Sequence, residues 1–408
     1  MPQQQVKLEG HFIDQQILSQ VLDTVERLGG SYEILQLTIG RTRRDKSTGL
    51  FNIEAPDDAT LQSVLRGLAR LGAEPVIPLP VRCEAAPADG VLPDRFYATT
   101  NLPTEVLVND RWLPVAGAEM DLALVVDERT NMACTVPMAD VKAGQQVVVG
   151  TQGVRVSYPP RDNHDAAFRF MASSVSAEKP KRPLLQRIVQ AARRVKEAGG
   201  KILLVGGPAI IHTGAGPVLE QLIRDGWVDV LFAGNALAAH DIESALYGTS
   251  LGVPVGGHPP GHEGHAHHLW AINRIRMAGS IARAVETGVL TGGVMHACIS
   301  RSVPFVLAGS IRDDGPLPDV ITDVLAAQRA MRSHVPGVGM AIMVGTTLHA
   351  IATGNLLPAR VVTVCVDVNP AVVTKLQDRG SHQSLGIVMD AASFLEQLAD
   401  GLGRKPEC

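Results

Sequence analysis

The second half of the chain contains six short runs of apolar residues that alternate with segments of helical periodicity. The runs cover residues 201–205, 228–233, 305–308, 340–344, 361–366 and 386–389. Their apolar residues are continuous rather than alternating, which is the pattern of strands buried on both faces of a parallel sheet. Strands that alternate with helices in this way form doubly wound α/β folds. We therefore predict a Rossmann-like parallel sheet in residues 183–408.

The first half of the chain predicts two smaller units with different patterns. Residues 1–82 read as strand, helix, strand, strand, helix, strand, which is the order of a ferredoxin-like α+β unit. Residues 83–172 contain short apolar stretches separated by Pro and Gly and predict a β-rich middle unit. The polar residues 173–182 are the expected linker, because they offer little apolar surface to bury.

Length and charge limit the classes of function. With 408 residues, the chain exceeds the size at which one hydrophobic core keeps growing, so two or three domains are expected. A net charge of −4 without a long basic block argues against nucleic-acid binding and favours a small metabolite as the partner. The sequence has neither an export signal nor an apolar run long enough to span a membrane, so we expect a cytoplasmic protein. The five cysteines are scattered and are expected to be reduced thiols.

Small residues follow the first apolar run, where ligands bind in an open parallel sheet. Gly207, Pro208, Thr213 and Gly214 precede a predicted helix. Small residues let the backbone approach a pyrophosphate, and a helix N-terminus offers unpaired N–H groups. The spacing differs from GxGxxG, so the loop indicates either dinucleotide binding or a turn that is needed only for packing.

Polar residues also follow the second and fifth runs. Asn235, followed by Ala236, can bind a ribose or a carboxamide, or it can serve only the turn. Asp367 is followed by Asn369 and Pro370, and a carboxylate there can accept the ribose hydroxyls of NAD and repel the 2′-phosphate of NADP. The alternative role of Asp367 is an N-cap of the next helix. These loops together predict NAD as the cofactor.

A charged loop follows the third run directly. Ser310, Arg312, Asp313 and Asp314 lie between Gly309 and a Gly-Pro turn. An amino acid carries an ammonium group and a carboxylate, which Asp313 or Asp314 and Arg312 would complement. We predict that one of the two aspartates is catalytic and that Arg312 binds substrate. The alternative is a salt-bridged surface turn.

Histidines and one cysteine are further candidates for catalysis. A stretch rich in Pro and Gly carries His258, His262, His265, His267 and His268. The spacing does not match a helical metal motif, so we expect no metal and one or two histidines that transfer protons or contact substrate, with His268 as the catalytic candidate. Cys298 is either a reactive thiol or a packing residue.

Several long motifs resemble one enzyme family. GSIRDDGPLPDVITD, GHAHHLWAIN, TTLHAIATGNLLP and VDVNPAVVTKLQDRG are similar to segments of the LOR/SDH-conserved-domain proteins. GHFID and DGVLPDRFYATTN also resemble that family, so the resemblance spans nearly the whole chain. The family includes archaeal-type ornithine cyclodeaminases and the C-terminal part of the cyanobacterial bifunctional arginine dihydrolase.

The resemblance implies that L-ornithine is converted to L-proline and ammonia, with bound NAD taking a hydride and returning it. It also implies that the Rossmann-like domain is related to the NAD-binding fold of deoxyhypusine synthase and that the protein is a homodimer or homotetramer. The further cofactor-binding residues in this interpretation are Thr346, Thr347, Leu348, His349, Asp390 and Ser310. Arg95, Tyr97 and Asn101 are expected to contact the substrate.

Two alternative functions stay open at this point. The first is an NAD-dependent enzyme that acts on another basic amino acid or on a saccharopine-like intermediate. The second is an amino-acid-sensing regulatory protein, because ferredoxin-like modules often bind effectors. The charged loop beside a predicted dinucleotide site favours an enzyme over a sensor.

Overall fold

In a computed structural model, the chain forms two compact units, Met1–Arg161 and Asp162–Cys408. The structure describes residues 1–10, 17–40, 45, 47–69, 71–76, 79–127, 129–157, 181–251, 253–254, 266–313, 315–378 and 384–403. None of the helices in these ranges is long and apolar enough to cross a membrane.

The first unit begins with the predicted ferredoxin-like arrangement. Its elements are β1 (Gln3–Gly10), α1 (Ile17–Arg27), β2 (Ser31–Thr38), β3 (Ser47–Glu54), α2 (Asp58–Ala69) and β4 (Ala73–Pro75). The strands form an antiparallel sheet in the order β2-β3-β1-β4. Residues along β3 alternate between buried and partly exposed, as in a sheet with one covered face. Phe51 and Ile53 on that face pack with Val21 and Val25 of α1 and Val64 of α2.

A mostly antiparallel sheet follows within the same unit. Its strands are β5 (Cys83–Ala85), β6 (Thr104–Val108), β7 (Arg111–Ala116), β8 (Ala123–Asp127), β9 (Met132–Val136), β10 (Gln146–Val148) and β11 (Val154–Val156). They lie in the order β11-β6-β7-β9-β8-β10-β5, and only β7 and β9 run parallel among the described pairs. The β-rich character of this region is as predicted, while a domain boundary at residue 82 stays a prediction.

The second unit contains the predicted parallel sheet. Its strands are β12 (Lys201–Gly206), β13 (Val230–Gly234), β14 (Thr249–Ser250), β15 (Val253–Pro254), β16 (Phe305–Ala308), β17 (Val320–Ile321), β18 (Val338–Val344), β19 (Val362–Asp367) and β20 (Ser384–Val388). The sheet has the order β17-β16-β13-β12-β18-β19-β20, and every pair in it is parallel. β14 and β15 form a separate antiparallel pair.

Helices cover both faces of this sheet. They are α3 (Lys181–Glu197), α4 (Ala209–His212), α5 (Gly216–Arg224), α6 (Asn235–Tyr247), α7 (His267–Ala278), α8 (Ile281–Glu286), α9 (Val294–Ser300), α10 (Val324–His334), α11 (Leu348–Leu356), α12 (Pro370–Asp378) and α13 (Ala391–Gly403). Ile202 and Leu204 of β12 pack in the core that includes α3, α5, α6 and α13, and Leu203 and Val205 pack in the opposite core with α10, α11 and α12. This burial on both sides is the reason that the strands are continuously apolar.

The linker prediction is wrong at its C-terminal end. Residues 173–180 lie outside the described part of the chain, but Lys181 and Arg182 already belong to α3. Pro183 follows in the first turn of this helix, where a missing backbone N–H costs nothing. The helix therefore starts before the residue at which the sequence predicted the new domain.

Candidate functional site

The winding of the parallel sheet reverses between β12 and β18. The chain leaves β12 towards β13, β16 and β17 on one side, and then returns to β18 on the other side of β12. The connections after these two central strands therefore diverge, and a crevice forms at their carboxyl ends. In open α/β sheets this is the usual position of a ligand site.

Two glycines hold the loops after β12 and β18 against each other. A methyl group built on Gly207 would lie 1.9 Å from the carbonyl oxygen of Gly345. Gly345 itself has a φ of +61°, in the left-handed region that favours glycine. The floor of the crevice is thus a close backbone contact that no other residue type fits at position 207.

The N-terminus of α11 opens beside Gly345. Thr346 and Thr347 precede Leu348, the first residue of the helix, and Thr347 makes no side-chain capping hydrogen bond. The first N–H groups of a helix have no partner within the helix, and they favour an anion together with the positive end of the helix dipole. Two threonine hydroxyls and this helix end form a donor set suited to a pyrophosphate.

The loop after β12 uses its polar side chain locally. Pro208 leads into the single turn of α4, and the Thr213 hydroxyl donates to the Ala209 carbonyl oxygen at 2.8 Å. Gly214 has a φ of +83° and turns the chain into α5. The helix α4 thus lies between Gly207 and Gly214, and α5 starts two residues after Gly214, where the sequence predicts a helix.

Asn235 is the first residue of α6 and is buried, whereas the next residue, Ala236, is partly exposed. Its Oδ1 accepts a hydrogen bond from the Leu317 backbone N–H at 3.0 Å. This contact joins the end of β13 to the loop after β16. It supports a structural function for the amide oxygen, which was the alternative to ligand binding.

His349 lies between the ends of β13 and β16. A methyl group built on Gly234 would lie 2.8 Å from the Cε1 atom of His349. Burial lowers the pKa of His349, while a hydrogen bond with the Ala308 carbonyl and the charge of Asp313 act in the opposite direction. The lowered pKa keeps this imidazole neutral at pH 7, when it is a proton acceptor or a neutral hydrogen-bond donor.

The charged loop after β16 is closed by its own hydrogen bonds. The Asp313 Oδ2 accepts from the Ser310 N–H at 2.8 Å, and the Asp313 N–H donates to the Ser310 carbonyl at 2.9 Å. The Arg312 N–H donates to the Ser310 hydroxyl oxygen at 3.3 Å, and its side chain is exposed. Asp313 and Arg312 are thus brought close to His349 and the end of β16, while Asp314 lies outside the described residues.

Side chains at the ends of β19 and β20 act in turns and caps. Asp367 Oδ1 accepts from the Asn369 N–H at 2.8 Å, and Asn369 Oδ1 accepts from the Ala371 N–H at 3.0 Å. The N-cap of α12 is therefore Asn369 and not Asp367. Asp390 caps α13 in the same way through the Ser393 N–H at 3.0 Å. Of these two carboxylates, Asp390 caps a helix and Asp367 does not.

Cys298 and Asp241 are buried together with the start of α9. Burial raises the pKa of the Cys298 thiol to about 12, so this buried side chain fits the packing alternative better than a reactive thiolate.

Asp241 of α6 accepts hydrogen bonds from the Val294 and Met295 N–H groups, each at 2.8 Å. Burial raises the pKa of Asp241 to about 7, although these N–H groups lower it. Asp241 therefore caps a helix inside the protein.

A cluster of imidazoles was not predicted as a unit. The His240 ring lies 4.7 Å from His212 and 6.1 Å from His268, measured between ring centroids. His240 Nδ1 lies 2.8 Å from Oε2 of the fully buried Glu243. The only signal in the sequence was the spacing of His240 and Glu243, which places both on one side of a helix. His258, His262 and His265 lie outside the described residues.

The predicted substrate contacts Arg95, Tyr97 and Asn101 belong to the first unit. Arg95 has a φ of +59° and accepts from the Gly150 N–H through its carbonyl, and the Tyr97 N–H donates to the Val148 carbonyl. Asn101 is buried. Arg95 and Tyr97 thus lie beside β10 and the turn that follows it, and the contact of all three residues with substrate stays a prediction.

Comparison with known sequence families matches residues 3–398 in three parts. Residues 186–398 match the family described as arginine dihydrolase ArgZ-like, C-terminal, Rossmann fold. Residues 3–102 match the LOR/SDH bifunctional enzyme conserved region, and residues 103–185 match the first region of the ArgZ-like C-terminal part.

Individual relatives are similar over nearly the full chain. A protein named ornithine cyclodeaminase from Methanothermobacter thermautotrophicus is 49% identical over 396 residues, which cover 97% of this chain and 96% of that protein. The apo structure of cyanobacterial ArgZ, an arginine dihydrolase, is 38% identical with a TM-score of 0.84, over 98% of this chain and 58% of that one. A solved ternary complex of AgrE with ornithine and NAD+ is 40% identical with a TM-score of 0.53, over 98% of this chain and 57% of AgrE.

Proposed function

The chain belongs to the ArgZ-like C-terminal family, which includes archaeal ornithine cyclodeaminases, and on this premise we propose that it converts L-ornithine to L-proline and ammonia with bound NAD. The observation that carries the proposal is the ternary complex of AgrE with ornithine and NAD+, in a relative that aligns over 98% of this chain. The archaeal relative of nearly the same length supports the same activity without an arginine-dihydrolase domain.

The crevice between β12 and β18 fits a dinucleotide. The uncapped start of α11, with Thr346 and Thr347, would hold the pyrophosphate, because its N–H groups and hydroxyls are hydrogen-bond donors. Asp367 would accept the hydroxyls of a ribose, and its negative charge disfavours the 2′-phosphate of NADP. The close contact of Gly207 with Gly345 keeps side chains out of the crevice floor.

The groups at the ends of β13 and β16 would hold the amino acid. Bound NAD supplies an acceptor that takes hydride from the substrate Cα and returns it within the same turnover. The half-buried Asp313 carboxylate pairs with an ammonium group of ornithine, and the exposed Arg312 guanidinium pairs with its carboxylate. His349 is neutral because burial lowers its pKa, so it accepts a hydrogen bond beside Asp313 without repelling the substrate cation. Asp314 is retained as the alternative to Asp313.

Turnover of ornithine by the purified protein tests the proposal. We expect proline and ammonia in equal amounts, with NAD required only in the amount that binds. Asp313→Asn should lower kcat by about a hundredfold or more and retain bound NAD, because it removes a charge that faces the substrate and not the cofactor. The matched control is Asp400→Asn, on the exposed side of α13, which should turn over at the wild-type rate. Absence of proline from wild-type protein with bound NAD would overturn the proposed activity.

We further propose that the protein works in the cytoplasm, where free amino acids and NAD are available, and that it assembles as a homodimer or homotetramer. Sedimentation of the purified protein would test the assembly.

A further inference from the structure

A cluster of three histidines has no function in the proposal above. It consists of His212 at the end of α4, His240 on α6 and His268 on α7, with Glu243 behind His240. The rings of His212 and His240 are 4.7 Å apart and those of His240 and His268 are 6.1 Å apart. Titratable side chains that gather around a buried acid are candidates for proton transfer or ligand binding.

The buried acid fixes the orientation of His240. Glu243 is fully buried, and its carboxylate accepts from His240 Nδ1 at 2.8 Å, from the Thr249 hydroxyl at 2.9 Å and from the Leu251 N–H at 3.1 Å. Such a set of donors stabilises an ionised carboxylate in the interior. His240 therefore carries a proton on Nδ1 and directs it towards Glu243, as in carboxylate–histidine pairs of enzymes.

His212 is the exposed member of the cluster. It lies in the connection that leaves the carboxyl end of β12, five residues after Gly207 of the crevice floor. Its Nδ1 lies 2.7 Å from the Ser250 hydroxyl. When Nδ1 donates to that oxygen, Nε2 presents a lone pair at the exposed side of the ring.

His240 shares α6 with Asn235, which stands at the end of β13. His240 follows Asn235 on the same helix by five residues, which corresponds to about 7.5 Å along the helix axis. The Nδ1 atom of His268 is buried and has no hydrogen-bond partner among the described residues. A buried imidazole nitrogen normally has a partner, so a water or a polar group of a ligand is expected to bind this atom.

From this geometry we propose that His212 is the general base of the reaction and that His240 and Glu243 are positioning residues behind it. The inference rests on the proposed ornithine cyclodeaminase activity. His212 Nε2 takes a proton from the substrate α-ammonium: the N–H bond breaks, its electron pair stays on the α-nitrogen, and a new N–H bond forms on the imidazole. The lone pair is required before Cα can be oxidised, because a protonated amine cannot stabilise the positive charge that develops there.

The same proton is used again when ammonia leaves. The δ-ammonium loses a proton to solvent and its lone pair attacks the oxidised Cα, and the new ring nitrogen then loses a second proton to solvent. The α-nitrogen accepts the proton of the His212 imidazolium, the bond from Cα to the α-nitrogen breaks with its electron pair on nitrogen, and ammonia leaves. His212 is then neutral for the next turnover. The proton taken from the α-ammonium thus returns to the α-nitrogen through His212, and neither of these two steps needs an oxidant or a reductant.

The surroundings of His212 suit a base at neutral pH. Burial and the positive charge of His240 lower the pKa of His212, while the negative charge of Glu243 raises it. The other polar groups around the cluster are Thr249 and Ser250 of β14 and His267 and His268 of α7. A lowered pKa leaves His212 unprotonated and able to accept the substrate proton.

Three variants of the NAD-bound protein test this assignment. We expect His212→Gln to lower kcat by about a hundredfold or more and to lose the acidic limb of the kcat/KM profile, with NAD affinity unchanged. His240→Gln should move that limb to higher pH, because it removes the Coulombic interaction that lowers the pKa of His212 and leaves Glu243 in place. His334→Gln, at the end of α10, is the matched control and should retain the wild-type rate and profile.

A readout that does not depend on turnover accompanies the kinetics. In protein with isotope-labelled histidine, the His212 resonance should titrate with a higher midpoint in His240→Gln than in the wild type. If His212→Gln loses its fold or its NAD, His212→Ala with added imidazole replaces it, and recovery of proline formation supports the assignment. A folded His212 variant with the wild-type rate and profile, or no recovery by imidazole in folded NAD-bound protein, would overturn it. Wild-type protein that forms no proline would instead overturn the proposed function.

Discussion

Gly207 offers the sharpest structural test of the crevice. A methyl group at this position would lie 1.9 Å from the Gly345 carbonyl oxygen and 3.1 Å from Thr346 Cβ. Ordinary contacts begin at 3.4 Å, so the loops after β12 and β18 would have to separate by 3.4 − 1.9 = 1.5 Å. The closest contact joins the new methyl group to a backbone oxygen, so no rotation of a side chain relieves this clash.

We expect Gly207→Ala to cost about 2–3 kcal/mol, the upper part of the range for overpacking. The loss should appear as a lower free energy of unfolding and as at least about a tenfold higher Kd for NAD, since about 1.4 kcal/mol corresponds to a factor of ten. Denaturant unfolding and calorimetric NAD titration measure the two effects separately.

Gly292→Ala is the matched control for this substitution. Nothing lies within 4 Å of a methyl group built there, and the residue has no positive φ, so neither stability nor NAD affinity should change appreciably. A Gly207→Ala protein with the stability and NAD affinity of the control would refute the close contact between the two loops.

Three further outcomes follow from buried or charged side chains. The pKa of Asp241 rises from 3.8 to about 7 on folding, so between these pH values the folded protein holds a proton that the unfolded chain releases. The proton bound by Asp241 therefore stabilises the folded state at low pH, and this stabilisation is lost as the pH rises towards 7. Asp241→Asn should therefore become less destabilising relative to wild type as the pH rises from about 4 to about 7, and an unfolding difference that is independent of pH would contradict this. Asp367→Ser should raise the affinity for NADP relative to NAD in binding titrations, whereas an unchanged ratio would exclude a ribose contact. Cys298→Ala should leave kcat unchanged and cost about 1–2 kcal/mol in stability, and an inactive but folded variant would restore the thiol as a catalytic group.

Periodicity identified the parallel sheet because its cause is local. Each central strand buries both faces, as Leu203 and Leu204 show on opposite sides of β12, so an apolar run marks the strand without knowledge of its neighbours. The ends of these runs in turn located the Gly207 loop and the charged loop at Asp313. The two-residue strand β17 left no comparable pattern, because it is too short to show a period.

Contacts between distant segments could not be predicted in the same way. His212, His240 and His268 come from three helices, and their rings meet only when α4, α6 and α7 pack together. The capping interaction before α12 was misplaced for a local reason. Asn369 directly precedes Pro370, the first residue of the helix, and is therefore the residue in position to cap it.

The retention of hydride within one turnover tests the central proposal most directly. Protein with bound NAD, and with no NAD in solution, should convert ornithine that carries deuterium at Cα into proline that carries deuterium at its own Cα. Mass spectrometry of the product and of the released cofactor measures both fates of the label. Proline with hydrogen at Cα, or deuterium on NADH released into solution, would contradict a cycle in which the borrowed hydride returns to the same substrate.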